Sequence, residues 1–177
     1  DGITYSYNTV VDMDMVFAKA QLAREYKAVK PELNEAGIIN IRAGRHPLID
    51  GKKVVPVSLA LEKDEKMLLI TGPNTGGKTV TLKLVGLFTI MAMSGLFIPA
   101  KSANLSVFDG VYSDIGDEQS IEQSLSTFSS HIKNTIGILN VITSKSLVLF
   151  DELGAGTDPG EGAALAVSIA EYLLKVG

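Results

Sequence analysis

The sequence predicts an α/β fold, with a mostly parallel sheet flanked by helices and a small antiparallel portion. An apolar run at residues 67–71 predicts a strand, and it leads through a glycine-rich loop into a long apolar helix at 80–93. A second apolar run, at 146–150, is typical of a strand buried on both faces of a parallel sheet. Short strand patterns joined by a turn between residues 38 and 61 predict the antiparallel portion.

Composition limits the classes of protein that this chain can belong to. Its 177 residues are 46% hydrophobic and 20% charged, which predicts a globular domain with a substantial core. The absence of cysteine excludes disulfides and thiolate metal sites, and it fits the cytoplasmic location that we expect. A net charge of −4 argues against nucleic-acid binding by this segment alone. No stretch predicts a signal peptide or a membrane span, because the most apolar run, 84–100, is broken by glycine and proline.

The first half of the chain predicts one helix and two short strands before the glycine loop. Apolar residues recur at helical spacing from residue 12 to residue 30, where Pro31 ends the pattern. Residues 1–9 predict either a leader or the end of an element that is missing. This helix is either core of the same domain or a stub of an adjoining region, and we favour the stub. We therefore expect a division into 1–37 and 38–177. Strands are predicted at 38–42 and 54–61, with a tight turn between them.

The second half alternates strands and helices. Short strands are predicted at 97–100 and 107–113, followed by an acidic, polar loop at 114–124. Apolar residues at three- and four-residue intervals predict a helix that ends near Leu139. After the strand at 146–150 and a tight glycine loop, a final helix is predicted at 161–175.

The glycine-rich loop has the pattern of a phosphate-binding loop between a strand and a helix. Its glycines let backbone N–H groups approach phosphates, while Lys78 is placed to reach β- and γ-phosphates and Thr79 to bind Mg²⁺. The alternative is a strand-to-helix turn that binds nothing. The predicted nucleotide-binding residues are Gly72, Pro73, Asn74, Thr75, Gly76, Gly77, Lys78, Thr79 and Val80.

Two carboxylates follow the strand at 146–150 and predict the second half of a nucleotide site. Asp151 would bind Mg²⁺ and Glu152 would activate the attacking water. The alternative is that both merely cap the strand end. A lone histidine, His46, stands before Pro47; it is either a ligand or base, or, as we favour, a hydrogen-bonded structural residue.

With these residues assembled, the chain resembles the ATPase domain of the MutS family of DNA mismatch-repair proteins. Further details resemble its MutS-II branch, including the segments 115–120, 128–131 and 158–162. The motifs that carry the resemblance are Arg45-His46-Pro47, the loop from Thr71 to Thr79, Ser126-Thr127-Phe128, and the run from Asp151 to Thr157.

The resemblance implies a P-loop NTPase fold of ABC type that hydrolyses ATP with Mg²⁺ and closes as a homodimer. Ser126, at a helix start, would act in trans on the γ-phosphate held by the partner's loop. The full-length protein would act on branched DNA or recombination intermediates, suppressing homologous recombination. The resemblance also allows a ribosome-associated quality-control ATPase, and an SMC-like or transporter ATPase is a further alternative, although the transporter signature is absent.

The sequence departs from the family pattern in two places. Val54 stands where mismatch sensors commonly carry an aromatic residue that stacks on adenine, and the family's histidine segment after the last helix is missing. We therefore expect 38–177 to be a domain truncated at its C-terminal end, and the isolated chain to be a weak or inactive ATPase.

Overall fold

The computed structural model describes residues 2–73, 76–116 and 124–176, the last range with side chains from residue 128 onward. This part of the chain forms four helices and six strands. In chain order they are α1 (Gly2–Glu25), β1 (Glu32–Asn34), β2 (Ile39–Gly44), β3 (Val57–Leu61), α2 (Lys78–Met93), β4 (Ser102–Ser106), β5 (Gly110–Asp114), α3 (Ser124–Leu139), β6 (Ser146–Phe150) and α4 (Pro159–Val176).

The larger sheet has four strands in the order β1-β4-β2-β3. Strand β2 is antiparallel to both of its neighbours, whereas β1 and β4 are parallel. Between Ile41 and Gly44 the register shifts against β3, with Ala43 at a φ of 49°. The antiparallel pairing predicted between residues 38 and 61 is present as β2 and β3. The sheet extends beyond it through β4, which is antiparallel to β2, and β1, which is parallel to β4.

The smaller sheet consists of β5 and β6, which are parallel. Their register pairs Gly110 with Ser146 and Asp114 with Phe150. Side chains along β6 alternate between buried and half-buried positions, and Leu147 and Leu149 belong to the core. The strand predicted at 146–150 is therefore confirmed, and its carboxyl end lies beside that of β5.

The predicted P-loop NTPase fold of ABC type, with a mostly parallel sheet, is wrong. The structure has a small mixed sheet of four strands and a separate parallel pair. Residues 67–71, predicted to be the strand before the glycine loop, form no strand, and Leu69 is 80% exposed. The physical reason is that a strand exists only where a neighbour accepts its hydrogen bonds, and an apolar run does not specify that neighbour.

Helix α2 forms the centre of the core, since it packs on β4 of the larger sheet and on both strands of the smaller one. Its Leu84 and Phe88 are fully buried. Gly86 permits the close approach to β6, because a Cβ at this position would lie 2.8 Å from Leu149 Cδ1. The core residues are Ile39, Ile41, Leu84, Val85, Phe88, Met91, Ala92, Ile98, Ala100, Ala103, Leu105, Leu147 and Leu149.

Other sequence predictions differ from the structure at element ends. Helix α1 includes residues 2–9, for which the sequence predicts a leader or the end of another element, and it ends at Glu25 rather than near residue 30. The strand predicted at 97–100 is reduced to a single bridge between Val29 and Ile98, and β4 lies just after it. None of the helices in the described ranges has the length and apolarity needed to cross a membrane.

Candidate functional site

The described residues of the glycine loop lead into α2 through Gly77, which has no side chain to cap the helix. Gly77 precedes the helix at a φ of 76°, a left-handed conformation that favours glycine, and this N-cap residue makes no side-chain cap within the described part of the chain. Gly76 N–H donates to Pro73 O at 2.9 Å, and Lys78 Nζ donates to Gly72 O at 2.6 Å. The lysine therefore folds back across the loop from the first turn of the helix.

Thr79 and Asp151, which are 72 positions apart in the sequence, meet between α2 and the end of β6. Thr79 Oγ1 donates to Asp151 Oδ2 at 2.5 Å in a half-buried position. The backbone N–H of Asp151 donates to Asp114 O at 3.0 Å, which fixes Asp151 against the end of β5. The structure thus brings together the two residues that the sequence predicts to bind Mg²⁺.

Glu152 follows in a left-handed conformation, with a φ of 48° and an exposed side chain. The turn that it begins is closed by a hydrogen bond from Ala155 N–H to Glu152 O at 2.9 Å. Gly154, also at positive φ, lies so close to α4 that an added Cβ would come within 2.2 Å of Gly162 O. The backbone of the first turn of α4 therefore fixes the position of the glutamate turn.

Asp158 caps α4 and so orients it towards that turn. Its Oδ1 accepts from Gly160 N–H at 2.9 Å and from Glu161 N–H at 3.3 Å. Pro159 occupies the first helical position, where a missing N–H costs nothing. The tight loop predicted at 154–160 is thus an ordered connection between β6 and α4.

His46 has the environment of a structural residue. Its Nδ1 accepts from Leu48 N–H at 3.4 Å, and partial burial, reinforced by the charge of Lys83, lowers the pKa of its imidazole below 6.5. The described residues contain no group of three histidine, aspartate or glutamate side chains that could hold a metal ion. The hydrogen bond to Nδ1 fits a structural residue, which is the interpretation that the sequence favours over a ligand or a base.

The remaining predicted site residues are placed only in part. Val80 is half-buried in the first turn of α2, and Val54 is half-buried in the loop before β3. The backbone of Ser126 lies in α3, as predicted, but its side chain lies outside the described residues. Asn74 and Thr75 of the glycine loop lie outside them too, as does the segment 117–123.

Sequence reasoning assigned no role to a polar cluster between β5 and α3. Asp114 accepts from His131, Asn134 and Thr135. These three donors are spaced i, i+3 and i+4, so they lie on one face of α3. That spacing, on a face that is otherwise apolar, is the signal in the sequence that could have indicated the cluster.

Comparison with known proteins identifies the family of this chain. The family model described as MutS domain V matches residues 68–177. A protein named Endonuclease MutS2 from Lachnospira eligens is 62% identical over 172 residues, which cover 97% of this chain and 22% of that protein. Proteins of the same name from Clostridium botulinum and Lachnoclostridium phytofermentans are each 59% identical, over 177 and 173 residues, and cover 99% and 97% of this chain.

The chain spans about a fifth of the length of these relatives, since it covers 22% of each of the three. The match to the domain model extends from the apolar run before the glycine loop through α4, so it includes Lys78, Thr79, Ser126, Asp151 and Glu152. The resemblance found in the sequence motifs is therefore confirmed, and the chain belongs to the MutS family, in its MutS2 branch.

Proposed function

We propose that this chain binds ATP with Mg²⁺ and supplies the catalytic residues that hydrolyse it. The observation that carries the proposal is the contact between Thr79 and Asp151, which places a hydroxyl and a carboxylate from distant parts of the chain side by side. Membership of the MutS family through domain V supports the same assignment.

The residues present suit a magnesium–nucleotide complex. Mg²⁺ prefers oxygen ligands and is usually held by one or two protein groups together with phosphates and water. Thr79 and Asp151 offer two such oxygens beside the start of α2, where the backbone N–H groups of the first turn and the helix dipole favour an anion. When bound, the ion would neutralise charge that develops on the phosphates. Lys78, now hydrogen-bonded to Gly72 O, lies in the same turn and is proposed to bind the β- and γ-phosphates.

Glu152 is proposed to orient and deprotonate the attacking water. It follows the proposed metal ligand directly, and its side chain is exposed rather than committed to the core. Its turn is held against α4 through Gly154, so the carboxylate is carried on a rigid support. A general base of this kind typically contributes 10²- to 10⁴-fold to turnover.

The proposed catalytic unit is a homodimer in which Ser126 at the start of α3 acts on the nucleotide of the partner subunit. ATP binding would then drive closure of the dimer in a DNA-processing protein that restrains recombination. We also propose an adjoining region within residues 1–37 and an ATPase domain from residue 38. Strand β1, at residues 32–34, pairs with β4 and so joins the end of the first segment to the sheet of the domain. We expect the full-length protein to capture branched DNA rather than ribosomes.

The nucleotide site is tested by Lys78→Ala and Thr79→Val in the full-length protein, using a fluorescent ATP analogue with Mg²⁺. Each variant should raise the Kd at least tenfold, or by about 1.4 kcal/mol, because one removes the nearest cation and the other a proposed metal ligand. Lys83→Ala is the matched control, since it removes the same charge from an exposed position of the same helix. A Kd for Lys78→Ala within about threefold of the wild type would overturn the proposed site.

A further inference from the structure

The buried carboxylate of Asp114 is held by donors from a single helix face. His131 Nδ1 lies 3.0 Å from both Asp114 oxygens, and Asn134 Nδ2 donates to Oδ1 at 2.9 Å. Thr135 Oγ1 adds a contact to Oδ2 at 3.5 Å. The side chain of Asp114 is 11% exposed, and an ionised carboxylate only accepts hydrogen bonds, so Nδ1 of His131 carries the proton.

Packing α3 against β5 does not by itself require this cluster of polar side chains. An apolar pair would bury the same surface without the cost of desolvating a carboxylate, and several donors are needed to offset that cost. Asn134 Nδ2 also lies 3.4 Å from Ser113 O, so the helix is tied to the strand backbone as well. Such a set of directional bonds fixes the rotation and the height of α3 relative to β5, which apolar contacts do not do.

The same aspartate is linked to the proposed catalytic residues through its backbone. Asp114 O accepts from Asp151 N–H, and Asp151 accepts from Thr79 through its side chain. A continuous path of hydrogen bonds therefore runs from the start of α2, through the ends of β6 and β5, to His131 in α3. Ser126 lies five residues before His131 in that helix, about 7.5 Å along its axis.

We infer that Asp114 and His131 are positioning residues that hold the start of α3, and with it Ser126, in a fixed relation to Asp151 and Glu152. The inference rests on the proposed function, because it gives α3 a task in nucleotide hydrolysis. His131 acts through α3 rather than on the nucleotide itself. The loop after β5 also packs against the imidazole ring of His131, since a Cβ at Gly116 would lie 3.1 Å from its Cε1.

The test compares turnover with ATP affinity in the full-length protein carrying His131→Ala, His131→Asn or Asp114→Asn. His131→Ala should lower kcat at least tenfold and leave the Kd for ATP with Mg²⁺ within about threefold, because the glycine loop is untouched. His131→Asn should recover kcat to within about threefold of the wild type, since its amide nitrogen can replace Nδ1 as a donor. If Asp114→Asn does not fold, the partly exposed His131 still carries the test.

Asn104→Ala is the control for a general loss of stability. It removes a half-buried side-chain hydrogen bond of 2.7 Å, from Asn34 Nδ2, in the other sheet. Three results would overturn the inference. The first is a kcat of His131→Ala within about twofold of the wild type, and the second is a kcat of His131→Asn as low as that of His131→Ala. The third is an equal fall in kcat for Asn104→Ala and His131→Ala when both lower Tm equally. Lys78→Ala in the same series separates the two proposals: ATP affinity equal to the wild type there would overturn the proposed function, and this inference with it.

Discussion

At the scale of single residues, Glu152 has an unusual backbone conformation, with a φ of 48°. Among the described residues that are not glycine, it shares a positive φ only with Lys27 and Ala43. This conformation costs an L-residue about 1–2 kcal/mol, so the surrounding structure must enforce it. Local strain of this kind is common where a side chain is held for chemistry, and here it falls on the residue proposed to activate water.

Glu152→Gln should separate ATP binding from hydrolysis. Glutamine has the same shape and keeps the same backbone strain, but it cannot accept a proton from water. We expect the Kd for ATP with Mg²⁺ to stay within about threefold and phosphate release to fall 10²- to 10⁴-fold. Glu161→Gln, an exposed acid in the first turn of α4, is the control and should turn over normally. Unimpaired phosphate release by Glu152→Gln would remove this residue from the mechanism.

His46 should make the fold less stable in mild acid. Burial and Lys83 lower the pKa of its imidazole in the folded state, so the unfolded chain binds more protons as the pH falls through about 6.5. The stabilising effect of a neutral His46 is therefore fully present above that pH and decreases below it. We expect denaturant midpoints at pH 7.5 and 5.5 to differ less in His46→Asn than in the wild type. Equal pH dependence in both proteins would show that His46 is not the responsible group.

At the scale of elements, the contact between the glutamate turn and α4 has no room for a side chain. Gly154 has a φ of 84°, and its neighbour across the contact is the backbone of Gly162, which cannot move aside as a flexible side-chain end could. The turn and the helix start are therefore placed as one unit, and the cap by Asp158 strengthens it.

Gly154→Ala should destabilise the protein by about 1–3 kcal/mol, because the new Cβ meets Gly162 O and alanine resists positive φ. The matched control is Gly137→Ala in α3, where a Cβ meets nothing within 4 Å and the φ is helical. That change should stabilise by up to about 1 kcal/mol through helix propensity. Denaturant unfolding measures both. Equal stability of Gly154→Ala and the wild type would mean that the contact is looser than the structure has it.

Helices and the buried strand β6 could be predicted at this scale because their signals are local. Periodic apolar residues indicate α3, a long apolar stretch after the glycine loop indicates α2, and a short continuous apolar run indicates β6. The run at 67–71 carried the same signal as β6 and still formed no strand, since pairing depends on a neighbour elsewhere in the chain. Strand β1 has only three residues, too few for any period to be visible.

At the scale of the whole molecule, the site combines chain segments that the sequence holds far apart. The Thr79–Asp151 contact could be predicted because metal chemistry requires a hydroxyl and a carboxylate together, and each has its own local motif. For the Asp114 cluster the sequence carries only half of the signal. The spacing of His131, Asn134 and Thr135 indicates a polar patch on α3, but it does not indicate that Asp114 is their partner, which depends on the fold.

The proposed composite site predicts complementation between two inactive subunits. Ser126→Ala should leave the ATP affinity of its own subunit nearly unchanged and reduce turnover, whereas Lys78→Ala should lose binding. Mixed dimers of the two would contain one site with both an intact glycine loop and an intact opposing serine. Phosphate release should therefore recover on mixing. No recovery, once mixed dimers are shown to form, would contradict action in trans.

Helix α2 also decides how the molecule exchanges its amide protons. The two sheets are separate hydrogen-bonded ladders, and α2 packs on both, with Phe88 beside Gly44 and Gly86 beside Leu149. Opening one sheet breaks no inter-strand hydrogen bond of the other. Deuterium should therefore enter the two-stranded sheet of β5 and β6 and the four-stranded sheet in separate steps. The buried amides of α2 would exchange last, because they reach solvent only after α2 has lost its packing contacts with both sheets.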